Sequence, residues 1–213
     1  MRQTSIGFKH KGLSLEGVIS LPNDSRAHFP GVVVCHPHPL FGGDMENGLI
    51  VALCKKLAEM DFATLRFNFR GVGRSEGAFT NGSEEKEDIR AAINVLKNWP
   101  GINRKRLGLV GYSFGASVIL GGLPKLKDVS TIAFVAPPVS AIKGSSIIQD
   151  KRHKLILAGE KDKIAPPEQL KKALADFSTI PLEFLSLPKA DHSLTGHQEK
   201  AAGLVVDFIS KYL

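Results

Sequence analysis

Short apolar runs alternate along the chain with longer segments in which apolar residues recur every three or four positions. The runs at 31–35, 62–67, 107–110, 131–136, 154–158 and 182–187 are mostly apolar and too short for helices, as strands buried on both faces should be. Between them, 46–60 carries apolar residues at 49, 50, 53, 54, 57 and 60, the stripe of an amphipathic helix. Another helix is expected to start near Ser83, with Glu84, Glu85, Glu87 and Asp88 in its first turns, where the helix dipole favours carboxylates. Residues 166–177 read as a helix opening on proline, and 195–213 as a final amphipathic helix. At the other end, 5–10 and 13–21 read as an antiparallel hairpin turning at Lys11-Gly12, followed by a polar loop over 22–30. Strands separated by helix-length segments imply an α/β fold: a doubly wound, mostly parallel sheet with helices on both faces and an N-terminal antiparallel hairpin.

At 213 residues the chain fits a single domain, 1–213, and no repeat or linker divides it. No apolar run approaches the length of a membrane span, and residues 1–9 lack the hydrophobic core of a signal peptide. A cytoplasmic location without a membrane partner is therefore expected. The two cysteines, Cys35 and Cys54, fall in a strand and a helix and read as small buried hydrophobes. A net charge of +7 raises the question of nucleic acid, but the basic residues are spread out and lack interleaved aromatics for stacking bases. Solvated surface charge is the expectation and nucleic acid is not an expected partner, although the run Lys151-Arg152-His153-Lys154 is dense.

One stretch carries chemistry. Residues 106–120 read as buried strand, tight turn and helix, with Ser113 at the tip and Gly111 and Gly115 on either side. A side chain at either flank of so sharp a turn would collide with the strand or helix, so the glycines leave a hydroxyl raised at a helix N-terminus. This is the G-x-S-x-G nucleophile elbow. A serine needs a base, and histidine backed by a carboxylate supplies one near neutral pH. Ligand-handling groups of open parallel sheets collect at the C-terminal ends of strands, where Asp162 and His192 both fall. Among seven histidines, His192 alone lies in the connection between the strand at 182–187 and the final helix. For the carboxylate, Glu160 and Asp191 are alternatives to Asp162, which lies deeper in its loop.

The segments Gly111-Tyr112-Ser113-Phe114-Gly115, Gly159-Glu160-Lys161-Asp162 and Asp191-His192-Ser193, in the chain order serine, acid, histidine, resemble the α/β-hydrolase superfamily. The loops 36–43 and 67–77 resemble those of small bacterial dienelactone-hydrolase-like and minimal carboxylesterase proteins. The resemblance covers nearly the whole chain and implies a serine hydrolase that acts on carboxylic esters with no cofactor and no metal. It also implies Ser113 as nucleophile, His192 as base and Asp162 as its orienting acid. The amide of Phe114 would form one half of an oxyanion hole. The other half would come from the 36–43 loop, which has Pro37 where a glycine is usual. Prolines have no N–H, so His38 or Leu40 must donate, and alignment favours His38. Only 137–153 is available where larger relatives insert a cap, so an open, cap-less site is expected for a small-molecule acyl substrate, walled by Leu40, Phe41, Phe114, Pro138 and Leu194. The pair His36 and His38 lacks a third ligand and reads as loop structure. Gly71-Val72-Gly73 fails the dinucleotide-binding spacing and reads as a turn, with Arg70 bracing nearby loops.

Overall fold

The computed structural model describes residues 1–23, 28–174 and 181–213. Within these, strands β1 (Arg2–His10), β2 (Leu13–Leu21), β3 (Phe29–Cys35), β4 (Ala63–Phe67), β5 (Ile102–Tyr112), β6 (Thr131–Val135), β7 (His153–Gly159) and β8 (Leu182–Leu187) form one sheet. Their order is β1-β2-β4-β3-β5-β6-β7-β8. The first two pairings, β1 with β2 and β2 with β4, are antiparallel, and every later one is parallel. The helices are α1 (Gly48–Glu59), α2 (Glu85–Lys97), α3 (Phe114–Gly122), α4 (Val139–Lys143), α5 (Pro167–Leu174) and α6 (Gln198–Tyr212). This is the cap-less α/β-hydrolase architecture: between β6 and β7 the chain inserts only α4 and a single 3-10 turn, Ile147–Gln149.

Alternation within the parallel strands builds two cores at once. Val33 and Cys35 of β3 face α2 and α3, while Val32 and Val34 face α1 and α6, and all four are essentially inaccessible to solvent. Both cysteines are free and buried, and burial pushes their thiols up, that of Cys54 to about 11. The hairpin turns at Lys11 (φ 47°) and Gly12 (φ 87°), as two-residue connections between twisted strands require.

Element boundaries differ from the sequence expectation where side chains have other partners. α1 starts at Gly48, capped by the Asn47 side chain, because Glu46 turns aside to bind Arg66 at 3.0 Å. The final helix starts at Gln198 rather than 195, and β1 and β5 are longer than their apolar stretches. The expected helix at 166–177 runs beyond the described residues, as does part of the loop at 22–30. In the dense basic run, Arg152 donates to Asp150 and to the carbonyls of Leu126, Val129 and Leu123, and Lys154 is fully buried on the Asp150 carbonyl at 2.6 Å. Those two charges are thus committed within the chain. Among the described residues, no helix is long and apolar enough to cross a membrane.

Two carboxylates at the start of α2 do more than complement its dipole. Asp88 is buried and binds Arg70 through Nη2 (2.7 Å), Nε (3.0 and 3.1 Å) and the Arg70 backbone N–H (3.1 Å), joining α2 to the loop after β4. Glu85, also buried, accepts from the Thr80 amide (2.6 Å), the Thr80 hydroxyl (2.7 Å) and the Gly82 amide (2.8 Å). Burial opposes ionisation of Glu85, but these donors hold its carboxyl below the usual glutamate value. Asp88→Ala would leave the buried Arg70 with only the exposed Glu84 as a partner, so it should lower the unfolding free energy by about 3–5 kcal/mol in urea titrations. A double variant Arg70→Met/Asp88→Leu should lose markedly less; equal losses would show that the pair is not the cause.

Candidate active site

β5 ends at Tyr112 and α3 begins at Phe114, which leaves Ser113 alone in the turn with φ 51° and ψ −104°. A non-glycine residue is rarely held there, and the surroundings must enforce it. Part of the enforcement is the ladder: the Ser113 amide donates to the Val135 carbonyl of β6 at 2.8 Å. The flanking glycines have measurable reasons. A Cβ at Gly115 would sit 2.5 Å from the Cys35 carbonyl oxygen, and one at Gly111 would sit 2.7 Å from the Ala116 nitrogen. The turn therefore fits against β3 and α3 only with hydrogen at both positions.

Two loops from neighbouring strand ends complete the constellation. Ser113 Oγ lies 2.8 Å from His192 Nε2, and His192 Nδ1 lies 2.8 Å from Asp162 Oδ2. The other carboxylate oxygen of Asp162 accepts from the amides of Ile164 (2.8 Å) and Ala165 (2.7 Å), which fixes its orientation. An ionised carboxylate only accepts, so His192 carries its proton on Nδ1 and presents a lone pair to the serine hydroxyl. The alternative acids are used elsewhere: Glu160 accepts from the Lys189 amide at 3.0 Å, and Asp191 from the Ser193 hydroxyl at 2.7 Å. Gly159 lets these loops touch, because a Cβ there would stand 2.5 Å from the Ala190 carbonyl oxygen.

Sequence reasoning missed Tyr112, whose hydroxyl donates to the His192 carbonyl at 2.8 Å and so anchors the imidazole loop to the end of β5. Burial pushes this phenol up to about 12, with the charges of Asp162 and Asp191 acting in the same direction, so it stays a donor. Its place directly before Ser113 was the available signal.

The 36–43 loop forms the facing wall. His36 is fully buried; its Nδ1 donates to the Pro37 carbonyl (2.7 Å) and its Nε2 accepts from the Phe69 amide (3.1 Å), which requires a neutral ring. Both nitrogens are thereby occupied, so His36 has none left for a metal. Among the described residues, no group of three or more His, Cys, Asp or Glu side chains is placed to hold a metal ion. His38 packs its ring against Phe41, Phe79 and Phe114 at 5.0, 5.2 and 5.1 Å. Its Nδ1 accepts from the Leu40 amide at 3.3 Å, which commits that amide, whereas no described residue accepts from the amides of His38 or Phe114.

Ser113 and His192 open onto a cavity of about 1090 Å³, to which Phe41, Phe114 and Pro138 contribute walls as expected. Two expected wall residues do not belong to it. Leu194 is completely buried in the core beneath α6, because the turn after His192 folds inward there. Leu40 is not among the lining residues and is 73% exposed. Lining residues not foreseen include Asn47, Asn81, Gly82, Lys161, Lys163 and Ile164. Asn81 and Gly82 belong to the turn held by Glu85.

The model of the dienelactone hydrolase family matches residues 15–207. The chain belongs to this family. An uncharacterised protein of Rickettsia prowazekii is 30% identical over 188 residues, spanning 84% of this chain and 78% of that protein. The structure is similar to an α/β serine hydrolase homologue from Coxiella burnetii, with 33% identity, a TM-score of 0.84 and 97% of each chain covered. It is also similar to a lid-less α/β serine hydrolase from Xanthomonas campestris, with 25% identity, a TM-score of 0.85 and coverage of 100% and 96%.

His36 links this site to pH. Burial lowers its pKa from 6.5 to about 4, against the opposing Pro37 hydrogen bond and the Asp44 charge. In the window between those values the unfolded chain binds a proton that the native one does not. Stability from this group is therefore complete above pH 6.5 and falls as pH drops toward 4, by about 3 kcal/mol. In an NMR titration the His36 ring should remain neutral at about pH 5; protonation at the value of a free histidine would refute the burial account.

Proposed function

We propose that this protein is a serine hydrolase that cleaves carboxylic esters of small or flexible acyl groups through an acyl-enzyme. The reading is carried by the unbroken hydrogen-bonded relay from Ser113 through His192 to Asp162 at the floor of an open cavity. Ser113 Oγ attacks the acyl carbon as His192 Nε2 takes its proton. The imidazolium then returns that proton to the departing alkoxide, and the ester C–O bond breaks. Water, activated by the same nitrogen, attacks the acyl-serine and releases the acid. Asp162 keeps the ring in the required tautomer and stabilises the imidazolium. The uncommitted amides of Phe114 and His38 are the donors we assign to the tetrahedral oxyanion, Phe114 at the first position of α3. The relatives from Coxiella and Xanthomonas described as serine hydrolases support this chemistry. The family is named for a lactone, a cyclic ester, so lactones belong in the substrate panel beside open-chain esters and thioesters.

Ser113→Ala should reduce turnover of a short-chain aryl ester by about a millionfold, the scale for losing the nucleophile of such a relay. Unaltered turnover in Ser113→Ala would rule out the mechanism.

A further inference from the structure

The most exposed large apolar side chains among the described residues are Phe41, Leu40 and Ile164, at 86, 73 and 58%. They are not scattered: Phe41 and Ile164 line the mouth of the Ser113 cavity, and Leu40 adjoins Phe41 in the same 3-10 turn. Nor does slack in the chain account for their exposure. The turn is closed by hydrogen bonds from the Phe41 and Gly43 amides to the His38 carbonyl (3.1 and 3.0 Å) and from the Gly42 amide to Pro39 (3.0 Å). Across the cavity, the amides of Ile164 and Ala165 are tied to Asp162, which sets Ile164 outward on a fixed turn. Two rigid turns thus hold apolar groups in water on opposite sides of one opening, an arrangement that marks an interaction site.

Charge indicates what would cover it. Lys161 and Lys163 flank the buried Asp162, are exposed, and line the same mouth, and neither forms an ion pair among the described residues. Asp191 is the carboxylate among the lining residues, exposed Glu160 beside Lys161 is held by the Lys189 amide, and the chain as a whole carries +7. Apolar tips with two exposed lysines beside Ile164 match the interface of an anionic bilayer, where the tips enter the headgroup region and the ammonium groups meet lipid phosphates.

We propose that the cavity rim is a docking surface for anionic lipid bilayers, seated through Leu40, Phe41 and Ile164 with Lys161 and Lys163 at the headgroups. Docked this way, the open site faces the membrane and receives esters that partition there. This use of the surface rests on the esterase reading, but the binding itself does not. The expectation of no membrane partner came from the lack of a spanning segment, and side-chain exposure is not visible in a sequence.

The test uses Ser113→Ala protein, so that binding is read without turnover. It should co-sediment with phosphatidylglycerol vesicles at about 0.1 M salt and only weakly with phosphatidylcholine vesicles. Adding Leu40→Asp should reduce the vesicle partition at least about tenfold, since it replaces an inserting tip by a charge. The same substitution in the otherwise natural chain should leave hydrolysis of a soluble short-chain ester unchanged, which also shows that the variant folds. Lys161→Glu/Lys163→Glu should abolish the preference for phosphatidylglycerol. Lys105→Glu, exposed toward the opposite end of β5, should not. Absence of vesicle binding, or binding that Leu40→Asp does not change, would overturn the proposal. So would a concentration-dependent dimer in ultracentrifugation that Leu40→Asp dissociates.

Discussion

The backbone of Ser113, held at positive φ between β5 and α3, is the constraint on which the rest of the site depends. Such a conformation costs about 1–3 kcal/mol and persists only where the surroundings over-determine it. Here they do so from three directions. β6 receives the Ser113 amide, the Cys35 carbonyl of β3 presses against Gly115, and α3 packs against Gly111. Because β5 lies between β3 and β6 in a parallel sheet, the strand that bears the serine is flanked by the two strands best able to enforce its turn. Relaxing the backbone would move the hydroxyl away from His192 and break the relay at its first bond.

The remaining groups reach the serine because all parallel strands end on the same side. β7 delivers Asp162, β8 delivers His192, and β3 delivers the facing 36–43 loop. Loops are the mobile part of most folds, yet each of these is pinned by a specific bond: Asp162 by two amides, the His192 loop by the Tyr112 hydroxyl, and the 36–43 loop by the neutral ring of His36. Farther out, Glu85 secures the turn that carries Asn81 and Gly82. The site is thus preorganised around Ser113, His192 and Asp162 and left open above them, where an apolar rim faces outward.

Much of this was legible in the sequence, for identifiable reasons. Buried parallel strands need uninterrupted apolar runs, so the alternation gave away the sheet, and the glycine spacing around Ser113 reports a steric requirement: a Cβ at Gly111 or Gly115 would come within 3 Å of its neighbours. Asp162 and His192 were recoverable because strand ends collect polar groups. What stayed hidden depends on direction rather than identity. Leu194 and Leu40 are both leucines in site loops, yet one is buried under α6 and the other projects into solvent. The acidic start of α2 looked like dipole compensation, while Asp88 and Glu85 in fact bind partners distant in the chain or across a turn. Helix starts were misplaced where a residue such as Glu46 had a stronger partner across the fold.

The central claim is that Ser113 is made nucleophilic by His192. It is tested most directly by treating the protein with a fluorophosphonate and mapping the adduct by mass spectrometry. A single phosphonate on the peptide containing Ser113, formed rapidly in the natural chain and slowed by orders of magnitude in His192→Ala, is the result expected. An adduct on another residue, or labelling of Ser113 at the same rate without the imidazole, would contradict it.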